Sequence, residues 1–301
     1  MWRAATGSDV PALEAQFRTY LETSMFLLGS LEAYGLEGDT DYACRYWCFD
    51  RPERGVFARS RSGMVMMQAP GVDVTTWRAA GGLLAGRSVT GIIGEAGQVA
   101  TFRQAVAWLG EISLLQDEPG YVLELADLRL PEDLGALPPS PDGDSPGGIL
   151  EAKKLWALRP LSDVPRDLAV AWREAYVLET GMAAPHRAQA QAEREVASYL
   201  ERDTHRVLMR DGTPVGMTGI NTRAGDAVQV GGVWTPPEVR GQGIARRAVA
   251  LHLAELRGKG ARRAVLFAAS PMAARVYEAI GFQRSFTFGW CLYADPITVP
   301  A

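Results

Sequence analysis

Cysteine is scarce in this sequence, with three in 301 residues. Cys44, Cys48 and Cys291 make an odd number, and only the first two lie close together, with no second pair or nearby histidine to complete a zinc site. That pattern gives neither a disulfide framework nor a zinc finger, and buried free thiols in a reducing compartment are the expectation. Charge imbalance is slight: 31 Lys and Arg against 35 Asp and Glu leave a net charge of -4. Such a chain has no global attraction for nucleic acid or for an anionic membrane, so any anion site has to be local. No apolar run approaches the length of a membrane span, and the segment from Met1 to Asp9 lacks the apolar core of a signal peptide. A cytoplasmic protein is expected. What is there, 47% hydrophobic and 22% charged residues, is an ordinary globular composition whose length suits two domains.

Between Pro131 and Ile149 five prolines and four glycines crowd together. Proline removes an amide donor and glycine raises the entropy cost of order, so neither a helix nor a central strand runs through this stretch. It divides the chain into residues 1-130, a Pro/Gly-rich linker at 131-150, and residues 151-301. Before the linker, helices are expected from Asp9 to Tyr20 and Ser24 to Tyr34, strands over Arg54 to Ser60 and Gly63 to Gln68, and then a helix at Val74 to Leu84. A strand at Val89 to Ile93, a helix at Gln98 to Leu109 and a strand near Tyr121 to Ala126 complete the first half. After the linker come a strand at Lys154 to Arg159, a helical stretch opened by Ser162-Asp163, and a helix over Ala188 to Glu201. Arg206 to Met209, Thr213 to Ile220 and Ala227 to Thr235, separated by Asp211-Gly212 and Gly225-Asp226, read as an antiparallel meander. A helix from Ile244 to Arg257 follows, with Ala245, Val249, Leu253 and Leu256 at helical spacing. Then come a strand at Ala264 to Ala269 and a helix from Pro271 to Ile280. The order is helices, then strands, then alternation, in both halves.

Arg240-Gly241-Gln242-Gly243-Ile244-Ala245 sits between a strand and a helix start. The first amides of a helix lack intrahelical partners and carry partial positive charge, so this end attracts phosphate. Glycine at 241 and 243 lets those amides approach an anion, and Arg240, Arg246 and Arg247 add positive charge. The dinucleotide pattern G-x-G-x-x-G fails at Arg246, and no βαβ unit is expected around the loop. A nucleotide P-loop fails because no Gly-Lys-Ser/Thr follows.

The segment from Val233 through Ala245 resembles motif A of the GNAT superfamily, whose Arg/Gln-x-x-Gly-x-Gly/Ala signature is matched by Arg240, Gly243 and Ala245. Ser270-Pro271 with Tyr277 and Gly281-Phe282 resembles the family's downstream segment, with Ser270 where Asn is frequent. The resemblance covers residues 154 to 293. It implies an α/β fold of mixed α+β character, with two GNAT-like domains, each a mixed, mostly antiparallel twisted sheet flanked by helices. The first would be degenerate: Gly86-Arg87-Ser88-Val89-Thr90-Gly91 precedes a strand and offers no free helix amides. The resemblance further implies an acetyl-CoA-dependent N-acetyltransferase acting on a small-molecule amine or a protein amino group, without metal, nucleic acid or membrane. Val233, Trp234 and Thr235 would face the thioester and pantetheine arm, and Arg240, Gly241, Gln242, Gly243, Ile244, Ala245 and Arg246 the pyrophosphate. Ser270 would contact the pantetheine arm, and Tyr277 would protonate the departing thiolate. Glu174, Glu179, Thr218 and Asn221 are candidates for the acceptor side, with His186 behind them, and no general base stands out. Transfer of another acyl or aminoacyl group, or a non-catalytic coenzyme-A sensor, are the alternatives.

Overall fold

A computed structural model describes residues 1–132 and 156–300, so the linker expected at 131-150 lies outside the described residues from 133 onward. The first half runs β1 (Arg3–Ala4), α1 (Val10–Thr19), α2 (Leu21–Tyr34), β2 (Cys44–Cys48), β3 (Val56–Ser60), β4 (Met64–Gln68), α3 (Val74–Gly82), β5 (Ser88–Glu95), α4 (Ala96–Val106) and β6 (Ile112–Glu124). The second runs β7 (Trp156–Pro160), α5 (Arg166–Glu179), α6 (Pro185–Glu201), β8 (His205–Arg210), β9 (Thr213–Ala224), β10 (Ala227–Trp234), α7 (Ile244–Gly258), β11 (Arg263–Phe267), α8 (Pro271–Glu278) and β12 (Gln283–Thr298). The two lists match element for element, which is a repeat of structure that no short sequence repeat announces.

All twelve strands join one mixed, mostly antiparallel sheet in the order β1-β2-β3-β4-β5-β12-β6-β11-β10-β9-β8-β7. Reading outward from its middle, each strand of one half faces its counterpart of the other, with one exchange. β12, from the second half, pairs with β5, and β6, from the first, pairs with β11. Each half therefore completes its sheet with the other's last strand. The two exchanged strands also pair with each other over ten register positions, so the halves are joined by continuous backbone hydrogen bonding.

β6 and β12 are where sequence and structure differ most. Asp117-Glu118-Pro119-Gly120 has the composition of a turn, so a strand is expected only from Tyr121, yet β6 passes straight through it. Pro119 is tolerated because β11 ends at Phe267 and β12 shifts register between Arg284 and Phe286 beside it, leaving little demand for the missing amide. β12 begins just after Phe282, where no strand is expected from the sequence. β1 and the Cys44–Cys48 strand were also unmarked by any turn signal.

The largest apolar cluster crosses the junction: Leu27, Leu28 and Leu31 of α2 share it with Ala224, Ala227 and Val265 of the second half. On the opposite face, Val249, Leu253 and Leu256 of α7 meet Val228, Val230 and Leu266, as the helical spacing predicts. The three cysteines are free and buried.

Candidate active site

The parallel pairing of β10 with β11 stops at Gln229 and Val265, although β10 continues to Trp234 and β11 to Phe267. Beyond that point the two strands diverge into a V. The β9 side of β10 contributes to the divergence through register shifts between Gln229 and Val230 and between Gly231 and Trp234, which set Gly232 and Val233 opposite Thr218 as a bulge. β10, α7 and β11 thus form a parallel βαβ unit, which corrects the expectation that none surrounds the loop. The dinucleotide reading still fails at Arg246.

From Trp234 the chain turns through Thr235 and a 3-10 turn at Pro237–Val239 into the glycine loop. Gly241 has φ 76° and Gly243 φ 73°, a left-handed backbone that a side chain disfavours. Gly243 is the N-cap of α7 and no side chain caps it, while a Cβ on Gly241 would meet nothing within 4 Å. The first amides of α7 therefore have no side-chain acceptor, and the Arg247 guanidinium lies against the cap, 2.8 Å from where a Gly243 Cβ would stand. Gln242 braces the loop from both ends: its Oε1 accepts from Arg210 at 2.6 Å and its carbonyl from Arg247 at 2.7 Å. Arg240 donates to the Thr235 carbonyl at 3.0 Å, lies 4.9 Å over the Trp234 ring and pairs with Glu179 at 2.7 Å. This cluster of guanidinium groups around an uncapped helix start suits a diphosphate.

Tyr277 projects from α8 with its ring 6.1 Å from Phe282 and its side chain buried. Burial raises its pKa, and the neighbouring Tyr176 and Glu118 raise it further, so the phenol holds its proton throughout the neutral range. Tyr176, from α5, stands 6.3 Å from Trp234 and has the Arg173 guanidinium 4.6 Å above its ring. Glu118 of β6 completes the group. Its charge bears on both phenols, and burial pushes its carboxyl upward. Tyr176 stands against β10 and Glu118 beside the end of β11, and both bear electrostatically on Tyr277.

Residues 169–282 match the acetyltransferase (GNAT) family model. The match lies within the second half and takes in both β10 and the glycine loop. A Drosophila protein is similar in fold across 97% of this chain and 98% of its own, with a TM-score of 0.61 at 13% identity. A tandem GNAT protein from the clavulanic acid biosynthesis pathway covers 99% of each chain, with a TM-score of 0.51 at 17% identity. A GCN5-related glucosamine N-acetyltransferase region of a fungal multi-domain GH3 β-N-acetylglucosaminidase matches 96% of this chain and 38% of that one, with a TM-score of 0.51 at 12% identity. No curated protein matches in sequence.

Within the second half the other candidates scatter. Ser270 is the N-cap of α8 and its Oγ accepts from the Ala273 amide at 3.2 Å. Glu174 is half-buried on α5, and Glu179 is committed to Arg240. Thr218 is wholly buried, paired with Arg206 on β8 and opposite the β10 bulge. Asn221 lies at the β9 irregularity, against Gly231, where an added Cβ would strike its amide. His186 is exposed and 3.1 Å from Asp295. His205 is fully buried and stacked 3.6 Å from Tyr199, and His252 is buried on α7. Among the described residues no cluster could hold a metal ion, and no helix is long and apolar enough to cross a membrane.

Sequence reasoning missed Glu118. It lies in the turn-like stretch before the linker, some 160 residues ahead of Tyr277, and only the strand exchange brings the two together. The acid next to Pro-Gly was the sole signal, and it pointed to a loop.

Proposed function

We propose that the protein is an acetyl-CoA-dependent N-acetyltransferase whose acceptor is a primary amine. The observation that carries this reading is the V between β10 and β11 opening directly onto an uncapped, arginine-ringed helix start. Past Gln229 β10 has no pairing on the β11 side, so strand backbone as far as Val233 could bond the amides of a pantetheine arm, and the α7 amides from Gly243 to Arg246 would hold the pyrophosphate. The coenzyme supplies an activated thioester. The protein's part is to seat that thioester, exclude water and manage protons. Tyr277 is the proton donor for the departing thiolate: it is protonated at neutral pH and stands at the opening beside Tyr176. Residues 1-130, which offer no coenzyme loop, would serve as a second wall of the acceptor cleft, linked through 131-150 to the catalytic residues 151-301.

Calorimetric titration with coenzyme A, followed by thiol release from acetyl-CoA over an amine panel, tests the reading. Binding with turnover supports it. Binding without turnover on any amine favours a sensor, and no binding at all overturns the donor site.

A further inference from the structure

We propose that Glu118 is the catalytic base of the GNAT domain, delivered by the exchanged strand of the other half, and that the acceptor arrives as a small primary alkylammonium ion. This rests on the N-acetyltransferase reading above.

The backbone fixes where Glu118 stands. Gly120 pairs with Phe267, the last residue of β11, and the Pro119 carbonyl accepts from the Ala268 amide at 3.1 Å. One residue further back, Glu118 projects past the end of β11 at the wide end of the V. Phe288 lies directly across from it on β12, and Trp290 across from Gln116. The wall around it is aromatic: Phe267 and Phe288 rings lie 4.4 Å apart, Phe288 and Trp290 5.3 Å, and Phe26 of α2 lies 6.2 Å from Phe288.

The carboxylate is short of partners. Its residue is 6% exposed, and its one hydrogen bond comes from Gln116 Nε2 at 3.3 Å. The Trp290 indole N–H lies near enough to draw its pKa back somewhat, yet falls outside hydrogen-bond geometry and is itself buried with no partner. Among the described residues no cation pairs with it. A buried carboxylate without a cation is costly, and a ligand that brings one relieves the cost. Aromatic faces around the same spot favour an ammonium group over a neutral or anionic one.

The chemistry balances. The ammonium yields one proton to Glu118, and the neutral nitrogen adds to the thioester carbonyl carbon. The carbon–sulfur bond then breaks with its electron pair on sulfur, and the thiolate takes the Tyr277 proton. The second proton shed by the new amide nitrogen restores the phenol, and Glu118 returns its own to solvent. The titratable and charged groups that bear on this step are Tyr176 and, behind it, Arg173 from α5, and Tyr277 from α8; β12 brings Trp290 and β6 brings Gln116, neither of which titrates.

The test uses phenethylammonium as probe, its uncharged counterpart 2-phenylethanol, and the isosteric variant Glu118→Gln. Calorimetry should show phenethylammonium binding to the wild type and at least ~10-fold weaker binding to the variant, with 2-phenylethanol and coenzyme A unaffected. With acetyl-CoA, the variant should lose roughly 100-fold in kcat/KM for phenethylamine at pH 7. That loss should shrink as pH rises toward the amine pKa, because deprotonated amine then arrives without help. Failure of phenethylammonium to bind the wild type, equal binding to both proteins, or parallel pH profiles would overturn the proposal. If coenzyme A fails to bind the wild type, the donor-site reading falls instead, and the ammonium titration still judges Glu118.

Discussion

The two halves share one plan and differ at one matched place. In the first, β4 and β5 stay paired from Met64 and Gly91 to Met67 and Gly94, one residue short of the end of β4, so no V opens. The loop from Ala69 to Asp73 is short, and Asp73 caps α3, its Oδ1 accepting from the Thr76 amide at 2.7 Å. A carboxylate thus occupies the position that a phosphate would need. A cavity of about 680 Å³ does lie at this end, but Glu22 and Glu95 balance Arg18 and Arg263 in its lining, so it lacks the net positive charge that a diphosphate needs. In the second half the strands part early, the loop is longer and glycine stands at the cap. The same architecture is closed to an anion in one half and open to it in the other, through a cap residue and a few residues of strand pairing.

The comparison breaks most readily at Tyr277, which α8 places at the open V. Tyr277→Phe should lower kcat by roughly 100- to 1,000-fold at neutral pH while coenzyme affinity holds. A pH–rate profile unchanged by that substitution would remove the phenol from the mechanism. Giving the second half the first half's cap is the next test. Gly243→Asp sets a carboxylate against the phosphate site and removes charge-assisted hydrogen bonds, so coenzyme A affinity should fall roughly 100-fold by calorimetry.

How much of this could be read from the chain alone follows the same division. The loop Arg240 to Ala245 was legible because its glycines, its arginines and the following stripe of Val249, Leu253 and Leu256 are local signals with one physical meaning each. Alternating strands and helices were legible for the same reason. The exchange of β6 and β12 was not, since which strand lies beside β11 is decided by long-range packing around Phe267 and Phe288 and by no local preference. Pro119 even argued against a strand, because the register shift in β12 that accommodates it lies more than 160 residues away. Glu118 was invisible on that account: its role depends on a neighbour from the other half.

Acid should sharpen the contrast, because all three histidines lie in the second half. Burial lowers the His252 pKa from 6.5 to about 3, and burial lowers that of His205 as well. Both are neutral when folded and take up protons when unfolded. Their contribution is therefore complete above pH 6.5 and is lost as the pH falls from there, in the case of His252 toward 3. Glu255, held down to about 2 beside Arg206 and Lys259, loses its contribution only below 4.5, and Glu118, whose carboxyl burial pushes up, acts with the opposite sign between 6.5 and 4.5, so the histidine share is read as the difference from the His252 variant. Denaturant titrations should show about 2 kcal/mol lost to His252 across that window, and His252→Gln should flatten the slope there. The smallest effect belongs to the first half. Asp73→Ala removes a helix cap and should lower Tm by about 2 °C, with no change in coenzyme affinity.

The central claim, that one half is open to the coenzyme and the other closed, is met most directly by the stoichiometry of coenzyme A binding in calorimetry. The account predicts a single site per chain, weakened roughly 100-fold by Gly243→Asp and untouched by Asp73→Ala. Two sites per chain, or one site whose affinity Gly243→Asp leaves unchanged, would contradict it.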